Sequence, residues 1–316
     1  MTTGLITKNQ PKRAARPFLK WVGGKNLLIN ELISRFPQNI KDTGKIKRYV
    51  EPFVGGGALF FYLMNNFKIE KSFLFDINRE LIVGFKVIKN NPSELINELK
   101  IIENRYVRRE VVNRKKMYYQ IREKYNKQML KFNFTDYTDN WVERAAYLIF
   151  LNKTCYNGLF RQNSKGKFNV PSGRYKNPTI CDEVNILEVS KVLKNTKIVC
   201  GDFERAKRHI TKNSMVYFDP PYRPISSTSN FTGYFKDDFN NEDQIRLAEY
   251  FKKMNKKGAY LLLSNSDPKN YNVDDDYFDD LYSGFNIERV TAKRVINCNA
   301  EKRGEVKELI IRNYDA

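Results

Sequence analysis

Two kinds of hydrophobic pattern divide the chain. Short continuous apolar runs that stop at an acidic residue or a turn occupy its first and last thirds: "KRYVEPF", "SFLFD", "TKIVCGDF", "SMVYFDPPY" and "GAYLLLSNS". Each has the length and composition of a strand buried on both faces. The helix-like "GGALFFYLMNNF" separates the first two runs, and the amphipathic "NEDQIRLAEYFKKMNKKG" precedes the last. This β-α-β grammar predicts a Rossmann-like, mostly parallel α/β sheet. The closing stretches "FNIERVTAKRVI" and "EVKELIIRNY" alternate residue by residue, predicting terminal antiparallel strands joined by the polar loop "NCNAEKRG".

From about Asn78 to Thr196 the pattern changes to long, charged stretches of helical period: "PSELINELKIIENRYVRRE", "RKKMYYQIREKYNKQML" and "WVERAAYLIFL". They are followed by "NGLFRQNSKGKFNVPSGRY", whose Gly, Asn and Pro punctuation predicts a hairpin at about 155–175. The expected organisation is a basic flexible arm at 1–16, a ligand-binding domain built from 17–77 and 197–316, and a helical domain at 78–196 inserted between the two halves of the sheet.

Composition adds a partner. Lys and Arg number 56 against 36 Asp and Glu in 316 residues, a net charge of +20 that argues for a polyanion, nucleic acid first. The four cysteines, Cys155, Cys181, Cys200 and Cys298, form no C-x-x-C pair, and His209, read as a surface residue in a basic run, is the only histidine. A zinc site or a Ser-His-Asp triad therefore lacks raw material, and no metal is expected. No apolar segment approaches the ~18 residues of a membrane span, and the N-terminus lacks a signal-peptide core. An intracellular, reducing compartment is the expectation.

Three motifs carry candidate chemistry. "EPFVGGGALFF", Glu51 to Phe61, leaves a strand and opens a helix, so its glycines can turn tightly and let a ligand approach the backbone. Asp76 follows about twenty residues later, where nucleotide-binding logic places a carboxylate on ribose hydroxyls. The spacing is not G-x-G-x-x-G, so an adenosyl group without pyrophosphate fits better than a dinucleotide. In "FLKWVGGK", Trp21 can line a pocket and Lys25 can meet a ligand carboxylate. In "DPPY", Asp219 offers a carboxylate and a carbonyl at the carboxyl edge of the sheet, Pro220 and Pro221 fix the backbone that aims them, and Tyr222 supplies a stacking ring. Two acceptors beside a ring suit the exocyclic amine of a planar base, held with its lone pair toward an electrophilic methyl group.

Together with "NGLFRQNSKGKFNVPSGRYKNP", "STSNFTGY" and "RGEVKELIIRNY", these motifs resemble the Dam family of DNA adenine-N6 methyltransferases, especially the GATC-modifying enzymes of restriction systems. The resemblance runs in order from about Pro17 to Tyr314. It implies a methyltransferase sheet interrupted by a target-recognition domain, S-adenosylmethionine as cofactor, and double-stranded DNA as partner. It also implies a cognate restriction endonuclease that acts on the same site without stable association, and a bacterial or phage-encoded cytoplasmic protein. Cofactor contacts carry over to Trp21, Lys25, Asp76 and Asp219, and the glycine loop with Glu51, Phe53, Gly55 and Gly57 borders the methionine end. Asp202 and Phe203 flank the adenine of the cofactor, and Tyr222 stacks on the flipped target base. In the hairpin, Arg161 resembles a guanine-reading arginine, and Leu159 and Pro171 resemble contacts to the thymine methyl. Tyr156 and Asn157 fill or border the space left by the flipped base, Lys20 touches the first base pair, and Arg174 and Tyr175 complete the DNA-binding set.

These roles agree with the chemistry of readout, in which arginine pairs bidentately with guanine, apolar groups meet the thymine methyl, and a two-stranded ribbon fits the major groove. Acting on a base inside a duplex also requires extruding it. Three departures from the family pattern stand out: Ser172 where an aromatic is usual, extra charged sequence around "NKQMLKFNFTDYTDNW", and a terminal loop that is not serine-rich. None touches the methyl-transfer residues. Methylation of N4 of cytosine, of RNA adenine or of a glutamine side chain is the neighbouring chemistry, and a catalytically silent DNA-binding module is the reading from another class.

Overall fold

The computed structural model describes residues 14–21, 23, 25, 28–223, 239–293 and 305–315. The arm up to residue 13, "STSNFTGY" and "NCNAEKRG" lie outside the described residues. Within the stretch expected as an arm, Ala15 is buried, and its N–H donates to Asn65 Oδ1 at 3.1 Å. Arg16 pairs with Asp182 at 2.7 Å, so the chain is anchored before Pro17.

Seven strands form one sheet in the order β3-β2-β1-β4-β5-β7-β6. The parallel strands are β1 (Lys45–Glu51), β2 (Lys68–Asp76), β3 (Thr196–Cys200), β4 (Met215–Phe218) and β5 (Tyr260–Ser266). Strand β7 (Glu305–Arg312) runs antiparallel to both β5 and β6 (Asn286–Lys293), as the alternating terminal stretches predict. All of β4 and nearly all of β5 are buried, as expected of strands covered on both faces.

The pleat divides the core in two. Tyr49, Leu74, Tyr217, Leu262 and Ile310 face one apolar layer, and their neighbours Val50, Phe75, Phe218, Leu263 and Ile311 face the other. The second layer is closed by α9 (Asn241–Asn255) and α10 (Tyr277–Leu281). Asn240 and Asp243 form a reciprocal capping box at the start of α9.

The first layer is continuous with the inserted helices. Its members include α3 (Ala58–Asn66), α4 (Arg79–Asn90), α5 (Pro92–Val107), α6 (Val111–Gln128), α7 (Asn140–Thr154) and α8 (Glu183–Leu193). Helices α4 and α8 both lie against β3, so the two ends of the insertion pack on the sheet edge. The stretches of helical period named from the sequence include neither. In α4, "RELIVGFKVIKN", residues from Glu80 to Val87 are buried on nearly every side, and the β-branched run reads as readily as a strand. Two short helices, α1 (Ile29–Ser34) and α2 (Gln38–Thr43), also intervene between the "FLKWVGGK" turn and β1. His209 is half-buried instead of lying on the surface, its ring stacked on Phe73 at 4.5 Å.

Helix α7 is the hub of the insertion, buried along almost its whole length. Its Arg144 is fully buried, donating from Nε to Glu80 Oε2 at 2.8 Å and from Nη2 to Glu80 Oε1, with Nη1 on the Tyr125 carbonyl at 3.1 Å. Rings of Tyr125, Phe132 and Phe134 surround the guanidinium at 4.3, 4.7 and 5.3 Å. Removing one member of such a pair strands the other in a dry site. Glu80→Ala is therefore expected to cost ~3–5 kcal/mol in urea unfolding, with the double change Glu80→Leu/Arg144→Met recovering most of it. A loss below ~1 kcal/mol would show that the guanidinium reaches water.

Candidate active site

Parallel strands bring their carboxyl ends to one edge of the sheet, and here three of them end in acid. Glu51 closes β1, Asp76 closes β2, and Asp219 follows β4. Burial pushes each carboxyl group upward. For Asp76 the value rises to about 6, against the pull of backbone N–H groups, among them Asn78 at 2.8 Å and Gly55 at 2.9 Å. Glu51 is driven well above its usual range by burial, relieved in part by the Tyr49 hydroxyl at 2.8 Å and raised further by the charges of Asp219 and Asp76. This edge lacks positive charge.

One ammonium answers part of that deficit. Lys25 is buried, with Nζ 3.1 Å from Asp219 Oδ1 and 3.7 Å from Glu308 Oε2. It lies 4.2 Å from the centre of the Tyr222 ring and donates to the Tyr222 hydroxyl. The Tyr222 hydroxyl in turn donates to Glu308 Oε2 at 2.7 Å. Asp219 Oδ1 also accepts from Ser264 Oγ at 3.2 Å, and Ser264 meets the Tyr217 hydroxyl at 2.8 Å. Lys25 and this serine oppose the upward push of burial on Asp219. The two prolines are held as well: Gln244 on α9 donates to the Pro221 carbonyl at 3.1 Å. Arg223 pairs with Asp275 at 2.9 Å and lies 4.1 Å from the centre of the Tyr277 ring.

The glycine loop packs beneath Trp21. A Cβ on Gly56 would come within 2.9 Å of the Trp21 Cβ, and one on Gly55 within 3.1 Å of the indole. Gly55 and Gly57 also take φ of 48° and 74°, which disfavour any side chain. Phe53 faces Phe203 with ring centres 5.4 Å apart. Asp202, beside Phe203, is engaged by Arg246 through two bonds of 3.2 and 2.9 Å, and the guanidinium lies 4.5 Å over the Phe203 ring. All the cofactor candidates thus stand at or beside the carboxyl edge of the sheet.

The hairpin candidates form a second group. Its strands make only two isolated bridges, Cys155 with Ser172 and Gln162 with Phe168. One face of α6 adds side-chain support: Tyr118 and Arg122 donate to the Val170 carbonyl at 2.8 and 3.1 Å, and Asn126 bonds both the carbonyl and the N–H of Phe168 at 3.0 and 2.8 Å. Arg161 Nε donates to Asn169 Oδ1 at 2.7 Å, which fixes the plane of the guanidinium. Tyr156 and Asn157 are exposed, and Asn157 takes a φ of 54° that asparagine tolerates better than most residues. Leu159 is half-buried, while Pro171 and Arg174 are exposed.

Three side chains join the two groups, Asn152 first among them. Asn152, fully buried near the end of α7, accepts from the Lys20 N–H at 2.8 Å and donates to the Lys20 and Gly158 carbonyls at 2.9 and 2.8 Å. Trp21 then stacks on Phe160 at 5.5 Å, and Lys20 reaches Tyr175, 4.4 Å from its ring centre. Asn152, Asn169, Arg246, Ser264 and Glu308 are site residues that sequence reading missed. For Glu308 a signal existed: the antiparallel alternation of β7 sets it opposite Ser266, at the ligand edge.

This sheet order, with helices on both faces, defines a Rossmann-like α/β fold with an inserted, hairpin-bearing helical segment. Residues 21–296 match the D12 class N6 adenine-specific DNA methyltransferase family, and the chain belongs to it. It is 50% identical over 300 residues to "Type II methyltransferase M.MjaIII" of Methanocaldococcus jannaschii, covering 95% of this chain and 99% of that protein. Identity to "Type II methyltransferase M1.LlaDCHI" of Lactococcus lactis subsp. cremoris is 38%, over 98% of this chain and 99% of the relative. With "DNA adenine methylase" of Escherichia coli (strain K12) it is 32%, over 93% and 94%. The family implies a methyl donor of the S-adenosylmethionine type, and the residues present suit one: buried carboxyl groups short of positive charge favour a ligand that is cationic at sulfur and amine.

Losing Asn152 would leave the Lys20 N–H and the Lys20 and Gly158 carbonyls without their partner. Asn152→Ala is expected to lower stability by ~1–3 kcal/mol and to weaken both cofactor and DNA binding in calorimetric titrations. A variant that weakens only one of the two would show that the segments move independently.

Proposed function

We propose that this enzyme transfers a methyl group from S-adenosylmethionine to N6 of an adenine extruded from duplex DNA, within GATC, as the methylase of a cytoplasmic restriction–modification system. The observation that carries this reading is the tip of β4, where Asp219 stands beside a buried Lys25 and next to the Tyr222 ring. Among the described residues no helix is long and apolar enough to cross a membrane, and no group of acidic, Cys and His side chains could hold a metal ion.

The cofactor, when bound, supplies an electrophilic methyl on a sulfonium, which the amine lone pair takes as the C–S bond breaks and the electron pair returns to sulfur. Trp21, Lys25, Asp76 and the Glu51-to-Gly57 loop with Phe53 would hold it, with Asp202 and Phe203 flanking its adenine. Asp219 and the adjacent backbone carbonyl accept the two hydrogens of the target amine and turn its lone pair outward, and Tyr222 stacks on the base. Positioning of this kind supplies much of the rate of such a displacement, and no strong base is needed before the methyl arrives. The nitrogen then sheds a proton to solvent.

Specificity falls to the hairpin. Arg161, braced by Asn169, reads guanine, Leu159 and Pro171 meet the thymine methyl, and Tyr156 and Asn157 stand beside the gap left by the flipped base. Lys20, Arg174 and Tyr175 add contacts along the same face, and the +20 charge supports binding to the phosphates. The type II names of two relatives favour a restriction–modification setting, with an endonuclease that shares the site without stable association.

The test is transfer of labelled methyl from S-adenosylmethionine to matched duplexes carrying GATC, each single-base variant, or GATC already methylated on both strands. Incorporation confined to unmodified GATC is expected. Incorporation into a variant would overturn the hairpin assignment, and none into any duplex would favour RNA substrates or a silent binder. On the same panel Arg161→Ala is expected to lose ~1–3 kcal/mol on the cognate site and to relax discrimination at one base pair. An equal loss on every sequence would make Arg161 a phosphate contact.

A further inference from the structure

Glu308 belongs to none of the motifs that define the cofactor and DNA contacts, yet it completes the chemistry of the β4 tip. Strand register fixes its place: on β7 it pairs with Ser266 of β5 and Val290 of β6, which brings the start of the antiparallel strand to the ligand edge. Its carboxylate is 82% buried by side-chain exposure of 18%, and its Oε2 meets two groups of the site, the Tyr222 hydroxyl at 2.7 Å and Lys25 Nζ at 3.7 Å.

The proposed reaction, on which this inference rests, needs Asp219 and Tyr222 held in place while the amine enters. Lys25 Nζ at 3.1 Å and Ser264 Oγ at 3.2 Å both meet Asp219 Oδ1, so the amine can be accepted by Oδ2 while Oδ1 stays anchored. The same ammonium lies 3.7 Å from Glu308 Oε2, so Glu308 braces Lys25 against Asp219 from a second strand.

We propose that Glu308 is a positioning residue for methyl transfer: it fixes the Lys25 ammonium against Asp219, and it anchors the Tyr222 hydroxyl so that the ring stays set for stacking. Glu308 touches neither the base nor the methyl. It acts through Lys25 and Tyr222.

The test measures single-turnover transfer, cofactor and DNA affinity, and thermal stability for wild type, Glu308→Gln and Glu308→Asp, on the duplex that wild type methylates best. Glutamine keeps an acceptor for Tyr222 and removes the charge. The transfer rate of Glu308→Gln is expected to fall by about thirtyfold or more, with S-adenosylmethionine and DNA dissociation constants within about threefold of wild type. Glu308→Asp, which keeps the charge, is expected to recover at least part of the rate. Wild-type transfer by Glu308→Gln overturns the inference alone. A rate loss matched by an equal loss of cofactor affinity, or a glutamine variant that unfolds together with an aspartate variant no faster than it, makes Glu308 merely structural. A wild-type chain inert on every duplex overturns the functional reading first, and this inference with it.

Discussion

The site depends on one buried ammonium. Lys25 comes from a turn near the start of the chain, Asp219 from the end of β4 and Glu308 from the last strand, and only the Lys25 charge lets two carboxylates share that space. Remove the cation and burial raises Asp219 toward its neutral form, in which it no longer serves as a full acceptor. The constraint also works in reverse. To bring Glu308 to the ligand edge, β7 must enter the sheet antiparallel beside β5, and Trp21, four residues before Lys25, packs on the glycine loop.

A second constraint binds recognition to chemistry. The Lys20 and Gly158 backbones are both clamped by Asn152, and Trp21 lies between the glycine loop and Phe160 of the hairpin. Neighbouring residues of one turn thus face different tasks, Lys20 toward the hairpin and Lys25 toward Asp219. The hairpin has little β-ladder of its own, and α6 supplies the missing bonds through side chains spaced one turn apart. A recognition element built this way is held by the helical insertion and takes its register from it.

The sheet was legible in the sequence because strands buried on both faces read as unbroken apolar runs, and the acids that end them sit at the edge where parallel strands bind ligands. "SFLFD" and "SMVYFDPPY" reveal fold and site together for that reason. The hairpin announced itself through Gly, Asn and Pro. Helix α4 did not, because its run Leu81, Ile82 and Val83 reads locally like a strand, although Arg79, Lys86, Lys89 and Asn90 leave it a polar side. Asn152 and Glu308 were hidden for a different reason: their meaning lies in partners remote along the chain, Lys20 for one and Lys25 and Tyr222 for the other. A lone asparagine near a helix end and a glutamate in an alternating strand look like ordinary surface residues until the register is known.

The central claim is that Asp219 holds the reacting amine, and single-turnover methyl transfer by Asp219→Ala tests it most directly. The account predicts no detectable transfer while DNA affinity stays within about tenfold of wild type, because the phosphate and hairpin contacts remain. Transfer at a rate comparable to wild type would remove Asp219 from the reaction and contradict the account.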